Sequence, residues 1–227
     1  MYVEILNMVR TDPVEYLGCC SLERLRTFEF GYSFVYPTQA KSYGVERVLR
    51  DWLIQLYRPT FGVETMNAAS ILQRLIPDEE RAFNIFFDHL DTVLAKCPEV
   101  LQKPETLDRK NEGPPAPVSA LLELVGQRPK MYLPRLTPGC LRAFLDGYRL
   151  ACLEEGHFSC ADLDGFEHWV RRQLSVRGMF RWEEAVLASF QGREEDAFAW
   201  SLRELKAYRE SQGPLSERKI EDRWPTH

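Results

Sequence analysis

Adjacent carboxylates are the side chains of this sequence that first suggest chemistry. Glu79-Glu80 and Glu194-Glu195-Asp196 could serve as paired acid and base groups or as metal ligands. Neighbouring residues on a helix point in different directions, however, and no histidine follows either group at the next turn. We therefore interpret these residues, like Glu183-Glu184, as the acidic first turns of helices, where the helix dipole favours negative charge.

The histidines and potential nucleophiles show no catalytic spacing. His168 beside Trp169 could act as a base in a helical hydrolase, which is the least favoured of three functional hypotheses. The sequence contains no nucleophile elbow, no phosphate-binding glycine loop, no dinucleotide fingerprint and no H-E-x-x-H motif. The pattern predicts a protein that is not an enzyme, with no catalytic residues, no metal and no cofactor.

Composition narrows the class of protein further. The six cysteines lack C-x-x-C spacing, which favours reduced thiols in a cytoplasmic protein. No apolar run approaches the roughly 18 residues that cross a membrane, and no signal peptide is recognisable. The net charge of −5 without a basic block disfavours nucleic-acid binding.

The chain contains an internal duplication. Residues 12–17 (DPVEYL) return as 128–133 (RPKMYL), and 25–32 (LRTFEFGY) return as 141–148 (LRAFLDGY), all 116 positions apart. With shifts of one residue, Trp52 matches Trp169, and the EERAF of 79–83 matches the EEDAF of 194–198. A repeat of about 100 residues has the size of one ordinary domain.

Apolar residues recur every three to four positions in both copies, which predicts helices and no strands. Ser21 and Thr137 stand at equivalent positions where each can cap a helix. Gly31 and Gly147, inside predicted helices, suggest a close helix contact. We predict an all-α protein of two tandem pseudo-symmetric modules of about five helices each, with a turn through Pro13. The predicted helices are 3–9, 21–36, 45–57, 66–75 and 78–95 in the first copy, and 118–126, 138–154, 163–174, 181–190 and 193–210 in the second.

The composition also predicts the domain boundaries. The first helical module covers 1–107 and the second covers 118–212. Between them, 108–117 is rich in proline and glycine, as linkers are. Residues 213–227 form a polar C-terminal tail.

The shared motifs resemble those of a family of small bacterial helical proteins. The motifs are x-Pro-x-x-Tyr-Leu, then Leu-x-x-Phe-x-x-Gly-Tyr, then an apolar residue three before a tryptophan, then an acidic-Ala-Phe helix. The second copy, 121–211, carries them best. The family is that of immunity proteins associated with polymorphic or contact-delivered toxins, in single-copy and tandem forms. The resemblance implies an antitoxin that binds one cognate toxin in the cytoplasm and blocks its active site.

Residues that differ between the copies are the better candidates for partner contacts, because the shared ones are needed for the fold. We expect the toxin to contact the region of the third helix of the second copy, and the matching loop of the first. The candidate residues are Asp162, Asp164, Glu167, His168 and Glu64. The alternative to toxin binding is a small-ligand or regulatory binding module that uses the cleft between the repeats.

Overall fold

The structure is a computed structural model, and it describes residues 2–35, 42–63, 66–101, 117–154, 156, 163, 165–176, 178 and 181–212. These residues form helices and connecting segments and contain no strand, so the predicted all-α class is confirmed. In chain order the helices of the N-terminal half are α1 (Tyr2–Thr11), α2 (Pro13–Leu17), α3 (Leu22–Ser33), α4 (Ser42–Tyr57), α5 (Ala68–Leu75) and α6 (Glu79–Lys96), followed by a 3₁₀ turn (Pro98–Leu101). Those of the C-terminal half are α7 (Val118–Gln127), α8 (Pro129–Tyr132), α9 (Pro138–Glu154), α10 (Phe166–Leu174), α11 (Trp182–Ser189) and α12 (Glu194–Gln212).

The predicted turn through Pro13 is wrong in detail, because these residues form the short helix α2. Asp12 caps α2 by accepting a hydrogen bond from the backbone N–H of Glu15, and Pro13 occupies the first helical position. The helix ends at Gly18, whose φ of +83° suits glycine. The short helix α8 stands at the equivalent place of the second copy. Each half therefore has six described α-helices, against about five predicted.

The helix starts predicted from capping residues are confirmed. The Ser21 hydroxyl accepts from the backbone N–H of Arg24 at 3.3 Å, and the Thr137 hydroxyl accepts from that of Cys140 at 3.0 Å. Each bond satisfies a backbone donor that has no partner within its helix. The two halves thus use the same local device at equivalent positions.

Two hydrophobic cores lie side by side. The first is built from α1–α6, with Phe28, Phe83 and Phe87 fully buried, and it also takes in Ala143 and Ala151 of α9. The second is built from α7–α12, with Phe144 and Tyr148 fully buried. The two cores meet where α3 packs on α9, which is by far the most extensive contact between two helices.

The α3–α9 contact depends on glycine, as predicted. A Cβ atom placed on Gly31 would lie 1.9 Å from the carbonyl oxygen of Phe144, and one placed on Gly147 would lie 2.0 Å from that of Phe28. The backbones therefore approach too closely for any larger residue. Phe28 and Phe144 are themselves equivalent in the repeat, so the two contacts are reciprocal. A two-fold relation between the halves would produce this reciprocity, although the two-module pseudo-symmetry stays a prediction.

The matched tryptophans are held in matched ways. The Trp52 indole N–H lies 3.4 Å from Nδ1 of His89, and the Trp169 indole N–H donates to Oε2 of Glu204 at 3.2 Å. His89 on α6 and Glu204 on α12 are equivalent positions in the repeat. The duplicated Trp therefore ties its helix to the last helix of its own half.

Several predictions lie outside the described residues. These are most of the linker, 108–116, and the tail, 213–227, so the predicted domain boundaries stay predictions. In the part of the chain that is described, no helix combines the length and the apolar character that crossing a membrane requires.

Candidate functional site

The predicted partner-binding residues are only partly described. Asp162, Asp164 and Glu64 lie outside the described residues. Glu167 and His168 are both exposed on the first turn of α10, and the Glu167 carboxylate forms an ion pair with Arg171 one turn later. The structure therefore places two of the five predicted residues on one surface.

A cavity of about 390 Å³ opens beside this surface, where α2 of the N-terminal half meets α9–α12 of the C-terminal half. We call it the charged cavity, because seven of its lining residues have a carboxyl or guanidinium group. Its residues are Glu15, Tyr16, Arg142, Leu145, Asp146, Arg149, Leu150, Leu153, Leu163, Gly165, Phe166, Glu167, Arg181, Trp182, Glu183 and Leu205. The side chain of Glu15 is 69% exposed and that of Glu183 is 3% exposed, so the cavity runs from an exposed mouth to a buried base.

Arg142 organises the base of the cavity. One guanidinium nitrogen, Nη1, donates to Oε1 of Glu183 at 2.6 Å, and Nε lies 3.1 Å from a carboxylate oxygen of Asp146, one turn later on α9. The third nitrogen, Nη2, donates to the backbone carbonyl of Glu15 at 2.7 Å and so ties α9 to α2. A planar guanidinium can hold three such partners at once because its donors are fixed in a fork.

Asp146 is a carboxyl group that titrates near neutrality. Burial raises the pKa of Asp146 to about 7, against the opposing attraction of the Arg142 and Arg149 guanidinium groups, which favours the ionised form. Its side chain keeps 27% of its accessible area, and the residue lines the cavity. Asp146 can therefore change its charge between pH 6 and 8 within a potential ligand site.

Two buried atoms at the cavity have no hydrogen-bond partner among the described residues. They are Oε2 of Glu183, an acceptor, and Nη1 of Arg181, a donor. Glu183 is only 2% exposed, so bulk water does not satisfy its carboxylate. A buried charged oxygen or nitrogen without a hydrogen-bond partner costs free energy.

The helix starts at the cavity are also uncapped. Gly165 and Arg181 are the N-cap residues of α10 and α11, and neither helix has a side-chain cap. Both residues line the cavity. The first N–H groups of a helix carry partial positive charge, so these two starts add weak anion-attracting character to a lining that already holds three arginines.

The remaining lining of the cavity is a wall of apolar side chains, most of which are nearly buried. Phe166 and Trp182 meet edge to face with ring centroids 5.2 Å apart, and Leu145, Leu150, Leu153 and Leu205 complete this wall. A wall of rings and aliphatic side chains facing a few charged groups is typical of small-molecule sites.

Two further features bear on the chemistry of this region. In the described part of the chain, no three His, Cys, Asp or Glu side chains are grouped closely enough to hold a metal ion. A second cavity of about 220 Å³ lies on the other side of Glu183 and is lined by Cys19 and Cys140. Burial raises the pKa of both thiols, which keeps them protonated and weakly nucleophilic.

The sequence analysis missed the base of the charged cavity. It interpreted Glu183 as a first-turn glutamate, which the structure confirms, but it did not predict that the side chain is buried in an ion pair with Arg142. A comparison of the two copies contains the missed signal. Asp146 stands where the first copy has Phe30, and Glu183 stands where it has Ala68, so two carboxylates replace apolar residues.

The comparisons with known proteins add no family to this geometry. No family model matches the chain, and no curated protein or solved structure matches it either.

Proposed function

We propose that this protein binds a small polar molecule in the charged cavity without chemically changing it. The observation that carries this proposal is a cavity of about 390 Å³ that is lined by Arg142, Arg149 and Arg181 together with four carboxyl side chains. Pockets of this size commonly enclose small ligands, and a few oriented polar groups commonly define what they bind.

The arrangement also fits a regulatory module. The cavity joins α2 of one half to α9, α10, α11 and α12 of the other, so a ligand there would contact both halves. A ligand that binds only the assembled pair of halves stabilises that assembly by mass action. Binding is in this way coupled to the packing of the two halves.

A thermal-shift screen of the purified chain against a metabolite library tests the proposal. A ligand at about 100 times its Kd adds about 2.7 kcal/mol to the free energy of unfolding. For a chain of this size we expect Tm to rise by about 5–10 °C. Glu183→Gln should abolish the shift, whereas the control Glu184→Gln, one residue along on an exposed position that does not line the cavity, should preserve it.

Two results would contradict ligand binding in this cavity. One is a screen in which no compound raises Tm by more than its effect on an unrelated helical protein. The other is a ligand whose Tm shift is the same in the native chain and in Glu183→Gln.

The second candidate function is the neutralisation of a cognate toxin, as the sequence resemblance implies. The observation that favours it is the position of Glu167, which lies at the rim of the charged cavity beside the exposed His168. A basic side chain of a partner protein could enter the cavity from this rim, and such anchors often dominate the affinity of an interface.

Co-expression with the polypeptide encoded by the adjacent gene tests this second candidate. A stoichiometric complex that relieves toxicity would support it, and Glu167→Lys should weaken the complex because it places a positive charge where a basic anchor enters. An intact complex with Glu167→Lys and Glu183→Gln together would exclude the cavity as the docking site.

A further inference from the structure

The ring of His89 on α6 lies between two side chains of α4. Its Nδ1 atom lies 3.4 Å from the indole nitrogen of Trp52, and its Nε2 atom lies 2.9 Å from the hydroxyl oxygen of Tyr57. Tyr57 is the last residue of α4, and Trp52 lies in the same half of that helix. We call this arrangement the His89 contact, and it holds the C-terminal part of α4 against α6.

The indole determines which nitrogen of the ring carries a proton. An indole N–H can only donate a hydrogen bond, so the Nδ1 atom of His89 that accepts it has no proton. A neutral imidazole has one proton, which is then on Nε2 and is donated to the Tyr57 hydroxyl. The geometry of the His89 contact therefore requires the neutral ring.

A second proton on this ring would break one bond and keep the other. In the imidazolium ion both nitrogens carry protons, so the Nδ1–H of His89 would face the indole N–H of Trp52. Two donors cannot share a hydrogen bond, and the indole would have to move away. The bond from Nε2 to Tyr57 needs no change.

Burial also opposes a positive charge on His89. The ring is half-buried, and burial lowers its pKa below the ordinary 6.5, against the opposing attraction of the Asp88 carboxylate. Asp88 itself lies 3.7 Å from the guanidinium of Arg10 on α1. Within the described chain, the charged groups of α3 and α5, which also pack on α6, do not shift the pKa of His89.

Two more charged residues lie on the segments around the His89 contact. The ammonium group of Lys96 lies 4.2 Å from the centre of the Trp52 ring, so this indole already faces one cation. Glu99 is exposed on the 3₁₀ turn that packs against both α4 and α6.

The second half makes the equivalent contact without a histidine. The Trp169 indole donates to the Glu204 carboxylate at 3.2 Å. A carboxylate ordinarily remains an acceptor at pH values where an imidazole gains a proton. The two halves therefore hold their matched tryptophans with acceptors that respond differently to weak acid.

We propose that the His89 contact is an acid-sensitive switch in the first half of the molecule. A proton taken from solvent by Nδ1 breaks the bond to Trp52 and loosens the end of α4 from α6, while the bond to Tyr57 persists. The Trp169 contact of the second half stays closed over the same pH range. This inference does not depend on ligand binding in the charged cavity.

The direction of the pH dependence follows from the direction of the pKa shift. Because folding lowers the pKa of His89 below 6.5, the unfolded chain binds this proton more readily than the folded chain does. The contribution of neutral His89 to stability is therefore complete above pH 6.5 and is lost as the pH falls through that value.

Two-dimensional proton–nitrogen NMR of the full chain between pH 8 and pH 5 tests the switch. We expect the indole N–H resonance of Trp52 to shift with the same midpoint as the ring protons of His89. The Trp169 indole resonance should not follow that midpoint, because its acceptor is Glu204.

Two histidine variants assign the shift to one ring. The amide of His89→Gln can accept from the indole and donate to Tyr57 without titrating, so this variant should abolish the shift of the Trp52 resonance. The control is His168→Gln, which replaces an exposed histidine of α10 and should retain the shift. Circular dichroism verifies that each variant is folded across the titration.

Trp52→Phe tests whether the indole opposes protonation of the ring. Without the facing N–H, His89 should gain its proton at a higher pH than in the native chain. The matched change in the second half, Trp169→Phe, should leave the midpoint of His89 where it is.

Three results would overturn the switch. The first is a Trp52 resonance in the native chain that does not move while His89 titrates. The second is a shift of that resonance that survives in His89→Gln. The third is a His89 midpoint that is the same in the native chain and in Trp52→Phe.

Discussion

The starts of α5 and α11 occupy equivalent places in the duplicated sequence, and the two halves treat them in opposite ways. At α5 the Asn67 side chain caps the helix by accepting from the backbone N–H of Ser70 at 2.8 Å, and Glu46 accepts from that of Ala68. At α11 no side chain caps the helix, and the buried Glu183 stands where α5 has Ala68. One helix start is closed by its own half, and the other faces a cavity.

Two other pairs of equivalent positions also carry a charged residue in one half and an apolar residue in the other. Phe30, the equivalent of Asp146, packs against Phe34 and stacks on Tyr132. Met131, the equivalent of Glu15, is 64% exposed beside Tyr132. The charged cavity therefore takes Glu15 from the first half and Asp146 from the second, and the equivalent positions carry Met131 and Phe30 instead.

The comparison separates positions that build the fold from positions available for function. The reciprocal glycines on the α3–α9 axis are kept in both halves, because neither backbone can withdraw from the other. The positions beside the α3–α9 contact can carry different residues in the two halves. We expect the binding activity to depend on the diverged set and the stability to depend on the shared set, and four experiments test this division.

The largest loss of stability should come from changes to the contact between α3 and α9, whose glycines both halves share. Gly31→Ala and Gly147→Ala each place a methyl group about 2 Å from a backbone carbonyl of the opposite helix. We expect each to lower the free energy of unfolding by about 3 kcal/mol, at the upper end of overpacking costs. Urea denaturation measures both values.

The control for these two substitutions is Gly126→Ala on α7. Its Cβ would meet the end of the flexible Lys206 side chain at 3.0 Å, so we expect no loss and a gain of up to about 1 kcal/mol from helix propensity. Losses at Gly31 and Gly147 that differ by more than about 1 kcal/mol would argue against a two-fold relation between the halves.

The next effect should come from the two equivalent arginines. Arg142→Met leaves the carboxylate of Glu183 buried without its cation, which should cost about 3 kcal/mol. Arg26→Met removes a hydrogen bond to the Ser70 hydroxyl and should cost about 1 kcal/mol. Chemical denaturation of both variants gives the comparison.

The double variant Arg142→Met/Glu183→Gln identifies the cause of that loss. Because the second change removes the stranded charge, we expect it to restore at least about 1 kcal/mol. Additive losses would mean that packing of the Arg142 chain, rather than its charge, is what stabilises the interface.

A smaller effect should appear in the pH dependence of the free energy of unfolding, to which Asp146 contributes. A carboxyl whose pKa is raised from 3.8 to about 7 on folding stabilises the folded state fully below pH 4 and loses that contribution as the pH rises through 7. Asp146→Asn should therefore gain about 2.5 kcal/mol of stability relative to the native chain between pH 5 and pH 8. Phe30→Asn changes the equivalent position of the first half. Its free energy of unfolding should differ from that of the native chain by the same amount at pH 5 and at pH 8.

The smallest effect should appear at the helix starts themselves. Asn67→Ala should cost about 1 kcal/mol through the lost cap. Arg181→Ser introduces a capping residue at an extended N-cap position and should add about 0.5–1 kcal/mol, while it abolishes ligand binding. A destabilised Arg181→Ser would mean that Arg181 supports the fold and is not reserved for a ligand.

Local physics explains how much of the fold could be predicted. The predicted and observed limits of the long helices nearly coincide, and 138–154 matches α9 at both ends. Capping residues and apolar spacing act within a few residues, so they can be identified without knowledge of the fold. The helices α2 and α8 were missed because five and four residues are too short to show a period.

The site was predicted less well for a related reason. Of the described lining of the charged cavity, only Glu167 was among the predicted partner-binding residues. Glu15 and Arg142 are 127 positions apart, and nothing local to either indicates that the carbonyl of one accepts from the side chain of the other. Only the difference between copies, with Asp146 in place of Phe30, pointed to this region.

The sequence by itself determined the helical class, the duplication and the glycines at the crossing, because spacing, capping and the absence of a side chain are properties of the chain alone. The tertiary structure alone decided that Glu183 is buried, that Asp146 titrates near neutrality and that two helix starts face a cavity. Those properties depend on which helix faces meet, and the packing of α2, α9 and α11 sets that meeting.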